Sequence, residues 1–173
     1  MKPNIMKINT TKRLFLCSVL LFAAQGVLAQ NLDVINVRAA ADVKSTDFPR
    51  RSKLSKDYSG NTVIENGMGR TVGAIKKDVS GDLTKEDYFG RTQEVYKKDI
   101  FGNTVVEDER GNKKATIRKN SLDEHVEEDE KGNVVKVYKK DIFGNIVVKD
   151  GKGNELGTYS KDIFGNMNYE SKW

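Results

Sequence analysis

An Asp-x-x-Gly tetrad recurs along this chain at intervals alternating between 9 and 12 residues, a regularity that constrains the fold more than any other feature. The pentapeptide Asp-Ile-Phe-Gly-Asn stands at 99–103, 141–145 and 162–166, separations of 42 and 21. A period of 21 brings in DYSGN from Asp57, DVSGD from Asp78 and a decayed NSLDE from Asn120. A second series lies between these: NGMGR from Asn66, DYFGR from Asp87, DERGN from Asp108, DEKGN from Asp129 and DGKGN from Asp150. Self-similarity at a fixed period of this length marks a repeat architecture.

The tetrad has a mechanical meaning. Asp at the first turn position bonds the backbone two residues on, and Gly at the fourth takes the left-handed conformation that closes a type I turn. Between turns the chain offers alternately short and long stretches, such as NTVVE at 103–107 and NVVKVYKK at 133–140, rich in β-branched and aromatic residues and free of proline. The 21-residue unit is therefore turn, short strand, turn, long strand, and six units predict an all-β antiparallel meander of about eleven or twelve short strands. A parallel β-solenoid is the rival. It would stack the dibasic pairs Lys76-Lys77, Lys97-Lys98, Arg118-Lys119 and Lys139-Lys140 in like-charge columns about 4.8 Å apart, so the meander is preferred.

Core positions follow from the period. Leu54, Ile75, Tyr96, Ile117, Tyr138 and Tyr159 precede the first-series turns by three residues. An unbulged hairpin sets them opposite Val63, Thr84, Val105, Val126, Val147 and Asn168. A bulge shifts the partner by one and faces Ile75 and Ile117 with Lys85 and Glu127, so the unbulged register is expected. First-series tips are apolar: Tyr58, Val79, Ile100 with Phe101, Leu122, Ile142 with Phe143, and Ile163 with Phe164. Several second-series tips are charged, as at Glu109-Arg110 and Glu130-Lys131. The Ile-Phe tips are expected to fold over the sheet as a small core. The alternative is an apolar rim, Ile100, Phe101, Ile142, Phe143, Ile163 and Phe164, on which a partner or a second copy docks.

The amino terminus reads as an export signal over 1–29. Lys2, Lys7, Lys12 and Arg13 precede the apolar run Leu14–Ala24, and Val27 and Ala29 set up cleavage before Gln30. The run continues past Cys17 without preceding small residues, which disfavours a lipoprotein signal. Removal takes away four of 30 basic residues and none of 25 acidic ones, leaving a net charge near +1. No basic excess survives for nucleic acid, the single Cys is lost, and no apolar run long enough for a transmembrane helix remains. Residues 30–56 read as a linker carrying Pro49 and Arg50-Arg51, with Val34, Ile35 and Val37 available for a first strand; the tandem repeats fill 57–173.

Chemistry has little to work with. One His, His125, lies in the most degenerate repeat, and no nucleophile or paired-carboxylate cleft is apparent, so no enzyme, cofactor or metal site is expected. The turn aspartates suggest calcium, but each turn offers one Asp where an ion needs several converging oxygens, which favours a structural turn.

The D-x-x-G-N unit resembles the YD repeats of RHS-type secreted proteins from Asp57 to Asn166, with Lys77, Lys98, Lys140 and Lys161 standing where those repeats have Tyr. The resemblance implies an extracellular β-sheet scaffold in a family linked to carbohydrate binding, cell contact and toxin encapsulation; six units are too few to wrap a cargo. The expectation is a secreted or periplasmic non-catalytic module that binds a protein or carbohydrate at the cell surface, with self-association open to it. The alternative is a fibre subunit similar to curli, against which the Lys- and Glu-laced strands argue. An outer-membrane barrel is disfavoured by five-residue strands.

Overall fold

The computed structural model describes residues 34–40 and 51–172. The export signal expected over 1–29, with Cys17, and the linker residues Pro49 and Arg50 lie outside them. Twelve strands follow one another: β1 (Arg51–Lys56), β2 (Thr62–Asn66), β3 (Thr71–Lys77), β4 (Leu83–Asp87), β5 (Thr92–Lys98), β6 (Thr104–Asp108), β7 (Lys113–Lys119), β8 (His125–Asp129), β9 (Val134–Lys140), β10 (Ile146–Asp150), β11 (Glu155–Lys161) and β12 (Met167–Ser171). Each pairs antiparallel with its sequence neighbours, as the meander requires and a solenoid does not. The sheet then closes. β1 pairs with β12, from Arg51↔Glu170 to Leu54↔Met167, making a barrel without free edges.

Curvature is built into the repeat. Every long strand from β3 to β11 skips one residue against its preceding short strand, where the register shifts at Ile64/Glu65, Lys85/Glu86, Val106/Glu107, Glu127/Glu128 and Val148/Lys149. A bulge at the same place in each unit bends the strand and increases its twist, the device that lets a sheet meet itself.

The long-strand core positions face the lumen, and Leu54, Ile75, Tyr96, Ile117, Tyr138 and Tyr159 are all buried. Their partners are those of the bulged register: Leu54↔Ile64, Tyr96↔Val106 and Tyr138↔Val148, with Ile75↔Lys85 and Ile117↔Glu127. The unbulged register is thus corrected. The left-handed residue ending each first-series turn, such as Gly60 at φ +82°, adds one residue to the loop and sends the short strand to its other face.

The second correction concerns Val34, Ile35 and Val37. Residues 34–40 form a helix, not a first strand, and Val34, Ile35, Asn36, Val37, Arg38, Ala39 and Ala40 are all buried. Five of the seven are apolar, as an enclosed helix requires, and Asn36 and Arg38 are enclosed with them. Its β-branched residues favour a strand, but the closed sheet has no edge left to pair with one, whereas a helical turn pairs part of its backbone within itself. The helix is tied to the lumen wall: Tyr159 donates its hydroxyl to the Val37 carbonyl at 3.0 Å, and Arg38 bonds to inward-facing side chains of β5 and β8.

Candidate functional site

Antiparallel alternation sends all six first-series turns to one mouth of the barrel and the second-series turns to the other. Each turn is built by its own sequence. In the first, Gly60 donates its N–H to the Asp57 carbonyl at 3.0 Å and Asp57 donates to the Asn61 carbonyl at 3.0 Å. Asp57 Oδ1 accepts the N–H groups of Ser59 and Asn61, while the Asn61 amide donates to Oδ2 at 2.9 Å. The last Asn of D-x-x-G-N is therefore as mechanical as the Asp. The same bonds recur at Asp99, Asp141 and Asp162. Asn61's amide leads the interactions that hold the Asp57 carboxyl below its ordinary range. Each carboxylate is spent on its own loop. The degenerate turn keeps the frame with Asp123 at φ +66°, a conformation Asp tolerates better than most residues.

This frame turns the two central residues outward whatever they are. Ile100, Phe101, Ile142, Phe143, Ile163 and Phe164 are 82–93% exposed. The expected small core at the tips is overturned: a two-residue tip beyond the last strand pair has no sheet face beneath it to cover. Tyr58, Val79 and Leu122 are also exposed, so nine large apolar side chains ring this mouth.

A ring of lysines lies just inside. Lys56, Lys77, Lys98, Lys119, Lys140 and Lys161 pair with Thr62, Leu83, Thr104, His125, Ile146 and Met167, all lumen-facing positions. Lys56 Nζ donates to Thr62 Oγ1 at 2.7 Å and to the Gly60 carbonyl at 3.3 Å, and Lys98 repeats this with Thr104 and Gly102. Lys119 forms an ion pair with Asp123. Burial, then the charge of Lys119, push His125 below its ordinary value, with Asp123 opposing and Lys98 adding to the shift. The opposite mouth differs: Met68, Tyr88 and Phe89 are exposed on two turns, but Glu109, Arg110, Glu130, Lys131 and Lys152 occupy the rest.

The lumen holds the feature that the sequence reading missed. Arg38 donates from Nε to Glu127 at 2.8 Å and from an Nη to Glu94 at 2.6 Å and the Tyr96 hydroxyl at 3.1 Å. Tyr138 donates to Glu127 at 2.6 Å, Tyr96 to Glu94 at 2.7 Å, and Lys114 reaches Glu94 at 2.5 Å. Burial is the largest influence on Glu94 and opposes its ionisation. The Arg38 charge, with hydrogen bonds from Lys114, Arg38 and Tyr96, outweighs it and holds the carboxyl at about 2. Burial raises the Tyr96 hydroxyl well above its usual value, so it stays a donor. A cavity of about 750 Å³ opens beside this cluster. Among the described residues no group of three or more His, Cys, Asp or Glu side chains is disposed to hold a metal. The missed signal was an acidic residue, Glu127, in the core phase of its strand: such a position calls for a buried cation, and Arg38 is the cation within a mostly apolar stretch.

No protein-family model matches this chain, and no curated protein does. Among solved structures, the X-ray structure of the Arabidopsis thaliana protein AT5G01750 superposes with a TM-score of 0.55 over 71% of this chain and 81% of its own, at 14% identity. Alternansucrase in complex with isomaltononaose aligns over 66% of this chain and 10% of its own at 22% identity, with a TM-score of 0.19 too low to bear on fold or function. What the first of these likenesses shows is the fold, a closed antiparallel barrel that the chain builds from six copies of one hairpin unit.

Proposed function

We propose that this is an exported, non-catalytic binding module whose binding element is the apolar mouth of the barrel. The observation that carries the reading is the ring of nine exposed large apolar side chains on one set of turns. The same turn frame holds Glu109-Arg110 and Glu130-Lys131 at the other mouth, so folding does not require Ile and Phe at the tips. Large apolar side chains gathered at one mouth that the fold does not need are the mark of an interaction site. Eight of the nine tip side chains, all but Tyr58, offer no polar group for sugar hydroxyls, which favours a protein surface over a carbohydrate.

Catalysis gains no support from the lumen, where the charged groups are bonded to one another and to tyrosines. A fibre similar to curli needs free strand edges, and the β1–β12 pairing removes them. The outer wall carries the ion pairs Lys76–Glu86, Lys97–Glu107 and Arg118–Glu128, each at 2.6 Å, which suit water and not a lipid-facing band. Among the described residues no helix is long and apolar enough to cross a membrane.

The test is site-specific photocrosslinking in the exporting cell. A crosslinker at position 143 is expected to trap adducts, and one at position 131 on the opposite mouth to trap none. Adducts from 131 alone, or from neither, overturn the reading.

A further inference from the structure

We infer that the partner of the apolar mouth is a second copy of this chain, docked mouth to mouth about a two-fold axis. The inference rests on the binding reading above and names its occupant.

Area is the first reason. At roughly 100 Å² of apolar surface per exposed tip side chain, the nine tips of each copy bury on the order of 2,000 Å² between two copies. That reaches the roughly 1,200–2,000 Å² of a stable specific complex. The second reason is charge. Each turn sets a cation against an anion: Lys56 with Asp57, Lys77 with Asp78, Lys98 with Asp99, Lys140 with Asp141 and Lys161 with Asp162. In the degenerate turn, Lys119 pairs with Asp123. With Asp82, Asp123 and Glu124 counted, six lysines and eight carboxylates stand around the circle, so the rim carries both signs. An anionic membrane meets more repelling carboxylates than attracting ammonium groups. A copy of the same rim carries both signs, so a rotation that sets lysines toward carboxylates avoids like-charge contact.

Closure follows from the difference between the two mouths. An isologous contact uses the same patch twice and leaves outward the rims that carry Glu109, Arg110, Glu130 and Lys131, so assembly stops at two. A head-to-tail filament would instead press apolar tips onto a mouth where three of five turns carry charged tips, beside Met68, Tyr88 and Phe89 on the other two.

Sedimentation of the exported chain across a wide dilution series tests this. The wild type is expected to be dimeric at high concentration. The triple variant Phe101→Ser, Phe143→Ser, Phe164→Ser should raise the dissociation constant by about a hundredfold or more. Ile142→Arg, a single change on one tip, is the second variant and should also dissociate the pair. Circular dichroism and a melt on each sample establish that the barrel is intact. A wild type monomeric at every concentration overturns the inference, as do open-ended oligomers. If that monomer floats with phosphatidylglycerol-containing vesicles, or is crosslinked through position 143 to a different protein, the apolar mouth remains the binding site and only its occupant is wrong. A monomer that does neither removes both readings.

Discussion

The lumen and the apolar mouth invert the usual distribution of polarity, and the reasons differ. Arg38, Glu94 and Glu127 are ionisable side chains almost fully buried, while Phe101, Phe143 and Phe164 stand in water a few residues away in each repeat. The buried charges are tolerable because every one is met: two carboxylates on one guanidinium, two tyrosine hydroxyls and a lysine close the set. The exposed rings are tolerable because the turn, not the ring, is what the fold needs. Position in the repeat decides where a side chain points. Chemistry then decides only whether the position is costly.

The comparison breaks first at Arg38. Arg38→Ala leaves Glu94 and Glu127 buried without their shared cation and should destabilise the protein by about 3–5 kcal/mol, read as a lowered urea midpoint. An unchanged midpoint would mean that the helix is not held in the lumen by this arginine.

Acid probes the same cluster. Glu94 is held at about 2 against an ordinary 4.5, and a depressed folded-state value means stability that is present above 4.5 and lost as pH falls toward 2. Glu94 alone is worth on the order of 3 kcal/mol across that window. Asp57, Asp99, Asp108, Asp129, Asp150 and Asp162, all lowered, act in the same direction. Denaturant titrations from neutral pH downward should show a falling midpoint that Glu94→Gln flattens.

Smaller effects are expected at the mouth. A Cβ at Gly144 meets only Lys140 Cε at 3.6 Å, ordinary contact, so Gly144→Val acts through its φ of +85° alone. About 1–2 kcal/mol should be lost. A neutral result in a thermal melt would contradict the left-handed turn. The smallest stability effect belongs to the Phe101→Ser, Phe143→Ser, Phe164→Ser triple. Fully buried rings would cost roughly 1.5–3 kcal/mol each; exposed ones should leave the melting temperature near that of the wild type. A large drop would return the tips to the core.

Much of the barrel was legible because its rules are local. Asp57, Gly60 and Asn61 satisfy one another within five residues, so their recurrence announces each turn without reference to the rest of the chain. The burial of Leu54, Ile75, Tyr96 and their equivalents follows from the same count. The register was harder. Glu127 opposite Ile117 looked like an unpaired charge entering a core, and its partner lay 89 residues away in a segment with strand-forming composition.

By itself, then, the sequence determined the repeat, the turn chemistry, the alternation of strands and the assignment of apolar and charged tips to opposite ends. Each depends on contacts between residues close in the chain. Three features were decided only in three dimensions. β1 meets β12 because bulges accumulated over the whole sheet bring its ends together. Residues 34–40 become helical because a closed sheet offers no edge to pair with. Arg38, Glu94 and Glu127 become one charged cluster because only closure places the helix within reach of both strands. Long-range pairing of this kind leaves no local periodicity, and its trace in the sequence is a buried-phase acid whose cation must be sought elsewhere.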